Sequence, residues 1–407
     1  MSLEWIEGVP TDWKISESQF VLDYQSRDVQ EDDEIVTAFR DGQVTLRSNR
    51  RTDGFTMADK EIGYQHICEG DLVVHSMDGG FGAIGVSDSC GKASPVVHAY
   101  TSTSCDLRFV SYQLRAAVDA GWIAALAKGI RVRSTQFDRP ALANLKIAYP
   151  SIETQQRIAD YLDRETAEID AAVADLDRYV DLLEKRRREV IYETLKFRKG
   201  PGSGMTISDS QRSRVGFVTR LLRRGISPRY VDEGVPVVNQ KCVRPGGLFD
   251  INNCRYHDPE ARSVDLDLTI QHGDILINST GTGTLGRSCM VREVSTPITW
   301  DSHVTLVRPN PEVAYPGYLS WMILSQESKL IEFSTGSTNQ IELSRDTVFN
   351  LDFINVPLDL QKKIAFYLDR ETVEIDALIA DSTKLRELLL KRRSVLITDV
   401  VTGRKQV

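Results

Sequence analysis

The stretch of this sequence best suited to chemistry is a glycine-rich loop in the second half of the chain. It reads Asp274-Ile-Leu-Ile-Asn-Ser-Thr-Gly-Thr-Gly-Thr-Leu-Gly-Arg-Ser, with Gly281, Gly283 and Gly286 at the spacing of a dinucleotide-binding loop. It also nearly fits a phosphate loop, with Arg287 where a lysine is expected. Both motifs bind phosphate because backbone amides at the N-terminus of a helix point at the anion.

A nucleotide site is disfavoured by the residues that follow this loop. Cys289-Met-Val-Arg has the composition of a strand, and the turn Ser295-Thr-Pro comes soon after it. Without a helix there is neither a dipole nor a cradle of amides for a phosphate. Kinase-like use between strands would need His-Arg-Asp and Asp-Phe-Gly motifs downstream, and neither occurs.

The same loop is rich in small hydrogen-bonding residues, and the first half of the chain has a counterpart, His75-Ser-Met-Asp-Gly-Gly-Phe-Gly. Such loops approach phosphates through backbone amides and offer side chains to base edges. A tight glycine hairpin without a ligand is the alternative, and the residue types alone leave both interpretations open.

Other catalytic and metal-binding patterns are missing from the sequence. It contains no Asn/Asp-Pro-Pro-Tyr methyltransferase loop, no His-Glu-x-x-His and no Gly-x-Ser-x-Gly. The six histidines (66, 75, 98, 257, 272 and 303) never cluster at metal-ligand spacing, so each is interpreted as structural or as a surface residue. The six cysteines form no Cys-x-x-Cys pair, which argues against zinc and a disulfide framework and suits a reducing cytosol. We therefore expect a non-catalytic protein without a metal.

Composition indicates a globular protein of one to three domains. The chain has 407 residues, of which 41% are hydrophobic and 27% charged. We find no apolar run long enough to span a membrane and no evident signal peptide, so we expect a cytoplasmic protein. The net charge of −8 disfavours a bulk polyanion binder, although basic clusters such as Lys185-Arg-Arg-Arg and Arg220-Leu-Leu-Arg-Arg permit local phosphate contacts.

The sequence contains two copies of the elements that would position these loops. Residues 155–191 match residues 361–397 at a constant offset of 206, with 21 of 37 positions identical. Shared strings include Tyr-Leu-Asp-Arg-Glu-Thr and Glu-Ile-Asp-Ala. The chain therefore consists of two copies of one unit, each ending in a long helix.

Both helices carry a heptad seam that predicts a partner helix. A long core helix within one domain is the alternative, but the polar outer face and the near-identical second copy favour a helix pair. The predicted interface residues are Leu162, Ile169, Leu176, Leu183, Val190, Leu368, Ile375, Leu389 and Leu396.

The segments before the helices are predicted to be β-rich domains. Short apolar runs at Phe20, Ile35, Val44, Leu72, Ala83 and Val96 are broken by Gly, Asp and Ser clusters. Helices are predicted from Tyr112 to Lys128, capped by Gly129, and from Tyr318; residues 130–149 are expected to be extended. The expected organisation is a first domain (1–150), a first helix (151–196), a linker (197–213), a second domain (214–357) and a second helix (358–402).

The repeat and its motifs resemble the specificity subunit of type I restriction–modification systems. The resemblance is carried by the twin Ile-Ala-x-Tyr-Leu-Asp-Arg-Glu-Thr-x-Glu-Ile-Asp helices, by the loop from Gly273, by Thr335-Gly-Ser-Thr-Asn-Gln-Ile-Glu-Leu and by the opening Glu4-Trp-Ile-Glu-Gly-Val-Pro-Thr-Asp-Trp. It covers essentially the whole chain. The second half lacks a repeat of the opening Trp-x-x-x-x-Pro-x-x-Trp pattern, and the loop of the first half is less typical.

The resemblance implies an α+β fold with two target-recognition domains, each followed by a long helix, the helices pairing as an antiparallel coiled coil. Each domain would read one half of a split, asymmetric site in double-stranded DNA. The chain would do no chemistry and bind no cofactor. Its implied partners are two methyltransferase subunits that use S-adenosylmethionine, and restriction motor-nuclease subunits that use ATP and Mg²⁺.

Candidate DNA contacts follow from residue type within these loops, since Asn and Gln can bridge adenine and Ser or Thr can reach phosphates. In the second half they are Asn278, Ser279, Thr280, Thr282, Thr284, Ser337, Thr338, Asn339 and Gln340. In the first half they are His75, Ser76, Asp78, Arg131, Arg133 and Gln136, with Arg47 and Arg51 as phosphate clamps. The alternative function is a non-catalytic scaffold that joins two ligand-binding domains through a coiled coil.

Overall fold

Each half of the chain contains a four-stranded antiparallel sheet, and the two sheets have the same topology. The computed structural model describes residues 8–50, 61–123, 137–261, 268–281, 283–294, 296–333 and 342–407. The strands of the first half are β1 (Lys14–Glu17), β2 (Asp23–Gln25), β3 (Val36–Ala38), β4 (Val44–Leu46), β5 (Gln65–Ile67), β6 (Leu72–His75), β7 (Ile84–Val86), β8 (Gly91–Ala93), β9 (Val97–Thr101) and β10 (Lys146–Tyr149). Its helices are α1 (Leu107–Asp119), α2 (Arg139–Ala143) and the long α3 (Ile152–Leu195).

The second half repeats this plan, also with ten strands among the described residues. Its strands are β11 (Arg212–Arg214), β12 (Thr219–Arg224), β13 (Tyr230–Val231), β14 (Val235–Val238), β15 (Arg255–His257), β16 (Ile275–Asn278), β17 (Ser288–Met290), β18 (Thr299–Trp300), β19 (Val304–Pro309) and β20 (Asp352–Ile354). Its helices are α4 (Pro316–Leu324), α5 (Glu327–Phe333), α6 (Arg345–Phe349) and the long α7 (Leu358–Val401).

The equivalent sheets run in the orders β2-β9-β6-β7 and β12-β19-β16-β17. A repeated Gly-Asp pair precedes the third strand of each. Asp274 is buried, accepts a hydrogen bond from the Gln271 amide at 2.7 Å and pairs with Arg308 at 2.7 Å. Asp71 is likewise buried and pairs with Arg27. The repeated carboxylate therefore fixes the turn that leads into the strand carrying each candidate loop.

Two local predictions for the first half are wrong. Phe20 does not start a strand, because Ser18 donates its amide to Leu145 O at 2.9 Å and folds Ser18–Phe20 into a single 3₁₀ turn. Within the stretch expected to be extended, residues 139–143 form α2, whose N-cap Asp138 accepts a hydrogen bond from the Ala141 amide. Residues 130–136 of that stretch lie outside the described residues.

The predicted shorter helices exist, but each begins earlier than expected. Helix α1 starts at Leu107 because Asp106 caps it through the amides of Arg108 and Phe109. The predicted end at Lys128 with its cap Gly129 lies outside the described residues. Helix α4 starts at Pro316, a residue whose fixed φ suits the first turn of a helix.

The chain divides into two units that share both long helices. The first unit comprises residues 1–177 and 383–407, and the second comprises residues 178–382. In the first unit, Ile397, Val400 and Val401 of α7 join a core with Phe109 and Leu162. In the second, Ile191 and Leu195 of α3 join a core with Ile364, Leu368 and Tyr318. Each unit therefore contains one β-rich domain and part of both helices.

Within each unit the two helices run antiparallel and carry the same ion pair. In the first unit, Arg393 pairs with Asp170 at 2.8 Å and Arg386 with Asp177 at 2.7 Å. In the second unit, Arg187 pairs with Asp376 at 2.8 Å, which is the first of these pairs displaced by the repeat offset. The expected α+β class with paired antiparallel helices is confirmed.

The heptad positions lie on the inner sides of the helices. Leu162, Ile169, Leu183, Leu368 and Ile375 are buried, whereas Leu176, Val190, Leu389 and Leu396 are half-buried. The segment 197–213, expected to be a linker, belongs to the second unit and packs in part on its core. Phe197 is buried with a φ of 56°, and Met205 and Ile207 contact the same core.

Candidate nucleic-acid interface

The glycine-rich loop of the second unit is a hairpin connection between β16 and β17. The prediction that a strand follows the loop is confirmed, since β17 pairs antiparallel with β16 from Ile275↔Met290 to Ile277↔Ser288. Gly281 has a φ of 98°, and a Cβ there would lie 2.6 Å from Thr284 Oγ1. The glycines therefore serve a tight turn, and the loop opens no helix for a phosphate.

The first two candidate residues of this loop are fully buried. Asn278 donates its side-chain amide to Gln240 O at 3.1 Å, while its Oδ1 has no hydrogen-bond partner among the described residues. The Ser279 hydroxyl forms a hydrogen bond with Thr305 Oγ1. The Ser279 carbonyl accepts a hydrogen bond from Leu343 N at 2.8 Å. Their side chains support the loop and do not reach the surface.

Thr280 lies at the centre of a polar cluster that two distant segments complete. The Gln240 side-chain amide donates to Thr280 O at 2.7 Å and also contacts the Thr280 hydroxyl. The same hydroxyl bonds His303 Nδ1 at 2.8 Å. Thr280 and Gln240 are half-buried and His303 is exposed. The cluster presents an amide, a hydroxyl and an imidazole side by side.

The cluster continues through Asp301 to a stacked cation. Asp301 accepts from the His303 amide at 2.9 Å and from the Tyr230 hydroxyl at 3.0 Å. Burial raises the pKa of Asp301, opposed by these hydrogen bonds. The guanidinium of the exposed Arg255 lies 3.5 Å above the Tyr230 ring. One connected network therefore links the loop to an exposed positive charge.

Arg224 holds the returning chain against the base of the loop. It pairs with Glu342 and donates to Leu343 O at 3.0 Å, and burial lowers its pKa. Thr284 points inward, with its hydroxyl directed to Thr280 O at 3.3 Å. The remaining candidates of this half lie outside the described residues: Thr282, Ser337, Thr338, Asn339 and Gln340.

The corresponding loop of the first unit joins β6 to β7. His75 Nδ1 accepts the Asp78 amide at 3.0 Å, and Asp78 pairs with Arg40 at 2.8 Å. Arg40 also lies over the exposed Phe81 ring, 4.9 Å from its centroid. Burial lowers the pKa of His75, which agrees with a neutral imidazole accepting at Nδ1.

The other candidates of the first unit are dispersed. Ser76 is buried, and its backbone bonds Val96 and Phe137. Arg47 is half-buried beside Thr37, with Nε 3.3 Å from the hydroxyl. Arg51, Arg131, Arg133 and Gln136 lie outside the described residues.

The exposed polar groups can match a nucleic acid chemically. An amide, a hydroxyl and an imidazole supply donors and acceptors of the kind that read base edges, and Arg255 supplies a cation of the kind that contacts phosphates. Across the described parts of the chain, no group of three or more His, Cys, Asp or Glu side chains could hold a metal ion. No helix in the described ranges is long and apolar enough to cross a membrane.

The sequence interpretation missed Gln240 and Arg255 and treated His303 as structural or as a surface residue. Gln240 stands in a short turn, Gln240–Cys242, far from the loop in sequence, and no motif marks it. The pairing of β14 with β15 and β18, and of β16 with β19, brings the surrounding segments together.

Comparison with known proteins supports the architecture. A scan against protein-family models and a search of curated proteins found no match. Among solved structures, a chain from work on complex assembly and conformational transition of the type I R-M system is 14% identical, with a TM-score of 0.64 over 97% of this chain and 98% of that chain. The HsdS subunit from Thermoanaerobacter tengcongensis is 15% identical, with a TM-score of 0.50, and the match again covers 97% of this chain and 98% of that chain. The chain therefore has the fold of the specificity subunits of type I restriction–modification systems.

Proposed function

We propose that this chain is the DNA-binding specificity subunit of a type I restriction–modification complex. The observation that carries the proposal is the duplicated architecture, two related β-rich domains with shared antiparallel helices, which matches such a subunit over 97% of the chain. Each domain reads one half of a bipartite, asymmetric DNA site, and the paired helices separate the two domains. The chain itself performs no reaction.

In the second domain, Gln240, Thr280 and His303 contact base edges and Arg255 contacts a phosphate. Their mutual hydrogen bonds position the polar atoms before DNA arrives, which lowers the ordering cost of binding. In the first domain, His75, Asp78 and Arg40 hold the corresponding place. Asn278 and Ser279 are buried, and their hydrogen bonds hold the loop in place without contacting DNA.

The partners that complete the activity are two methyltransferase subunits and restriction motor-nuclease subunits. The methyltransferase subunits dock on the helices and use S-adenosylmethionine to methylate adenine, and the motor-nuclease subunits use ATP and Mg²⁺. This chain binds none of these cofactors. Its charge of −8 is compatible with DNA binding because partner subunits would enclose part of the duplex.

The test is co-expression with the methyltransferase partner in a host without N6-methyladenine, followed by single-molecule mapping of methylated sites. We expect a two-part motif with an unread gap. Exchange of residues 1–150 for the same segment of a chain with another specificity should change only one part. A correctly assembled complex that leaves the DNA unmethylated would favour a scaffold that joins two other ligands.

A further inference from the structure

Two cysteine thiols lie in contact in the second unit, next to the candidate interface. The Sγ atoms of Cys242 and Cys254 are 3.8 Å apart, which is within the range of a thiol hydrogen bond. Both thiols are free, and Cys242 is buried whereas Cys254 is half-buried. Neither sulfur is among the candidate DNA contacts, so the pair needs its own explanation.

The two cysteines stand beside the two interface residues that the sequence interpretation missed. Cys242 ends the turn Gln240–Cys242 and lies two positions after Gln240. Cys254 immediately precedes Arg255, the first residue of β15. A change at either sulfur is therefore passed within one or two peptide units to a residue that we assign to DNA contact.

Hydrogen bonds that do not involve the sulfurs bring the two segments together. The Asp250 amide donates to Cys242 O at 2.8 Å. The Asn239 side chain donates to Asn253 O at 2.7 Å, which ties the turn to the residue before Cys254. The short distance between the thiols is thus part of a preformed backbone arrangement.

The surroundings of the two sulfurs suit them to different steps of an oxidation. The hydrogen bond between them lowers the pKa of Cys254, and the same bond together with burial raises the pKa of Cys242. A thiolate is the form that attacks a peroxide, so the more accessible Cys254 is suited to the first step and Cys242 to the second. Cys289 packs in the same apolar core, but burial raises its pKa to about 12 and keeps it a thiol.

We propose that Cys242 and Cys254 are a redox-sensitive pair that a hydroperoxide converts to a disulfide. The Cys254 thiolate attacks hydrogen peroxide, and an S–O bond forms as the O–O bond breaks and hydroxide leaves. The Cys242 sulfur then attacks the Cys254 sulfur, the S–O bond breaks, and the oxygen leaves as water with the Cys242 proton. The two sulfurs lose two electrons, which reduce the peroxide to water once the Cys254 proton joins the hydroxide.

The disulfide weakens reading of the second half-site, an effect that rests on the proposed function. The sulfurs must move roughly 1.8 Å closer to reach bonding distance. Because the core around them is closely packed, this movement displaces the turn that carries Gln240 and the start of β15 with Arg255. Gln240 then loses its position on Thr280, whose carbonyl it contacts at 2.7 Å.

Peptide mapping tests the disulfide without DNA. The full chain is treated with hydrogen peroxide, the remaining thiols are alkylated, and tryptic peptides are analysed by mass spectrometry. One tryptic peptide, residues 242–255, contains both cysteines, because trypsin does not cleave between Arg244 and Pro245. We expect this peptide to become two hydrogens lighter and to recover with dithiothreitol. Cys90→Ala, which removes an exposed cysteine, should leave this result unchanged.

Methylation by the assembled complex tests the consequence. Peroxide should lower discrimination at the second half-site about tenfold, as for loss of one good base contact, and leave discrimination at the first half-site unchanged. Dithiothreitol should restore it. Cys254→Ser should read both half-sites normally and be insensitive to peroxide, and any remaining effect in this variant measures oxidation of the partner subunits.

The outcomes separate the disulfide from its effect and from the proposed function. An unaltered 242–255 peptide, or a disulfide at other cysteines in its place, would overturn the redox pair. A disulfide with unchanged discrimination would overturn its effect on DNA reading. A reduced complex that methylates no bipartite site would overturn the proposed function together with that effect, and the peptide map would still decide whether the disulfide forms.

Discussion

The hydroxyl of Thr280 is oriented by side chains that come from two other segments, and this makes Gln240 the most informative residue of the second domain. Gln240→Ala removes the side-chain amide that we propose contacts a base, and also the hydrogen bonds that position Thr280. We expect methylation at the half-site that we propose this domain reads to fall by about tenfold or more, since a good bidentate base contact contributes about 1–3 kcal/mol. Single-molecule mapping with each half-site varied separately measures this.

Glu233→Ala is the matched control for Gln240→Ala, because Glu233 is exposed in the same unit. It should leave both half-sites unchanged. If Gln240→Ala lowered methylation equally for all variants of both half-sites, Gln240 would have a structural role and no part in reading bases.

Asp274 is a second informative residue, and its substitution should affect the stability of the second unit. Asp274→Ala leaves Arg308, whose side chain is 19% exposed, without its carboxylate. Breaking a buried pair in this way costs about 3–5 kcal/mol. Urea unfolding should show this loss, whereas Asp209→Ala, at a fully exposed carboxylate, should change the free energy of unfolding by less than about 0.5 kcal/mol. Equal midpoints for the two variants would contradict the role of the repeated Gly-Asp pair.

Stability should fall in mild acid because two histidines are held neutral. Burial lowers the pKa values of His75 and His98 below the ordinary 6.5. A lowered folded-state pKa means that the unfolded chain takes up protons first, so the free energy of unfolding decreases as the pH falls below about 6.5. His75→Gln with His98→Gln should make the dependence between pH 7 and 5 shallower. An unchanged slope in urea titrations would rule this out.

At the residue scale, the sequence was informative about the loop and poor about its contacts. The strand-like residues that follow the loop, Cys289-Met-Val-Arg, were enough to reject a phosphate cradle, because strand or helix character is a local property of the sequence. Gln240 and Arg255 could not be found, since neither stands in a motif and both depend on strand pairings across the domain. Burial of Asn278 was equally hidden, because a polar residue type does not show on which face of a strand it lies.

At the scale of elements, packing of the helix pair predicts different effects of the same substitution at two neighbouring leucines. Leu183 is 5% exposed, whereas Leu182 is 64% exposed. Leu183→Asp buries a carboxylate without a partner and should lower the free energy of unfolding by about 3 kcal/mol or more. Leu182→Asp should change it by less than about 0.5 kcal/mol. Thermal and urea unfolding of the two variants measure the difference.

The two variants also separate packing from docking. Leu183→Asp should impair assembly with methyltransferase subunits only as far as it unfolds the helix pair. Leu182→Asp should leave the helices intact, so a loss of assembly in this variant would place the docking surface at Leu182. Similar destabilisation by both substitutions would mean that the helices do not pack through the heptad positions such as Leu183.

The long helices were predictable almost to the residue because their signal is strong and local. Residues 151–196 and 358–402 were expected, and the helices span Ile152–Leu195 and Leu358–Val401. Short elements were not predictable to this extent. Helix α2 depends on the Asp138 cap, and the Ser18–Phe20 turn depends on carbonyls more than 120 residues away.

At the scale of the whole molecule, the first unit is discontinuous, which the repeat alone did not indicate. Its core requires Ile397, Val400 and Val401, and Gln113 donates to Val401 O at 2.8 Å. Deleting residues 383–407 removes the three buried apolar side chains of Ile397, Val400 and Val401, each of which contributes about 1.5–3 kcal/mol. We expect the amides of β6 and β9 to lose hydrogen-exchange protection, while those of β16 and β19 in the second unit keep it.

A chain that joins residues 1–177 to residues 383–407 through a flexible linker is the matched control for this deletion, because it restores every element of the first unit and omits the second. It should recover the protection of β6 and β9, since the contacts of Ile397, Val400 and Val401 lie within the first unit. The opposite result, full protection in the deletion chain, would show that residues 1–177 fold without the end of α7. Protection of the joined chain with loss in the deletion chain would establish that one domain is completed by helical residues more than 200 positions away in sequence.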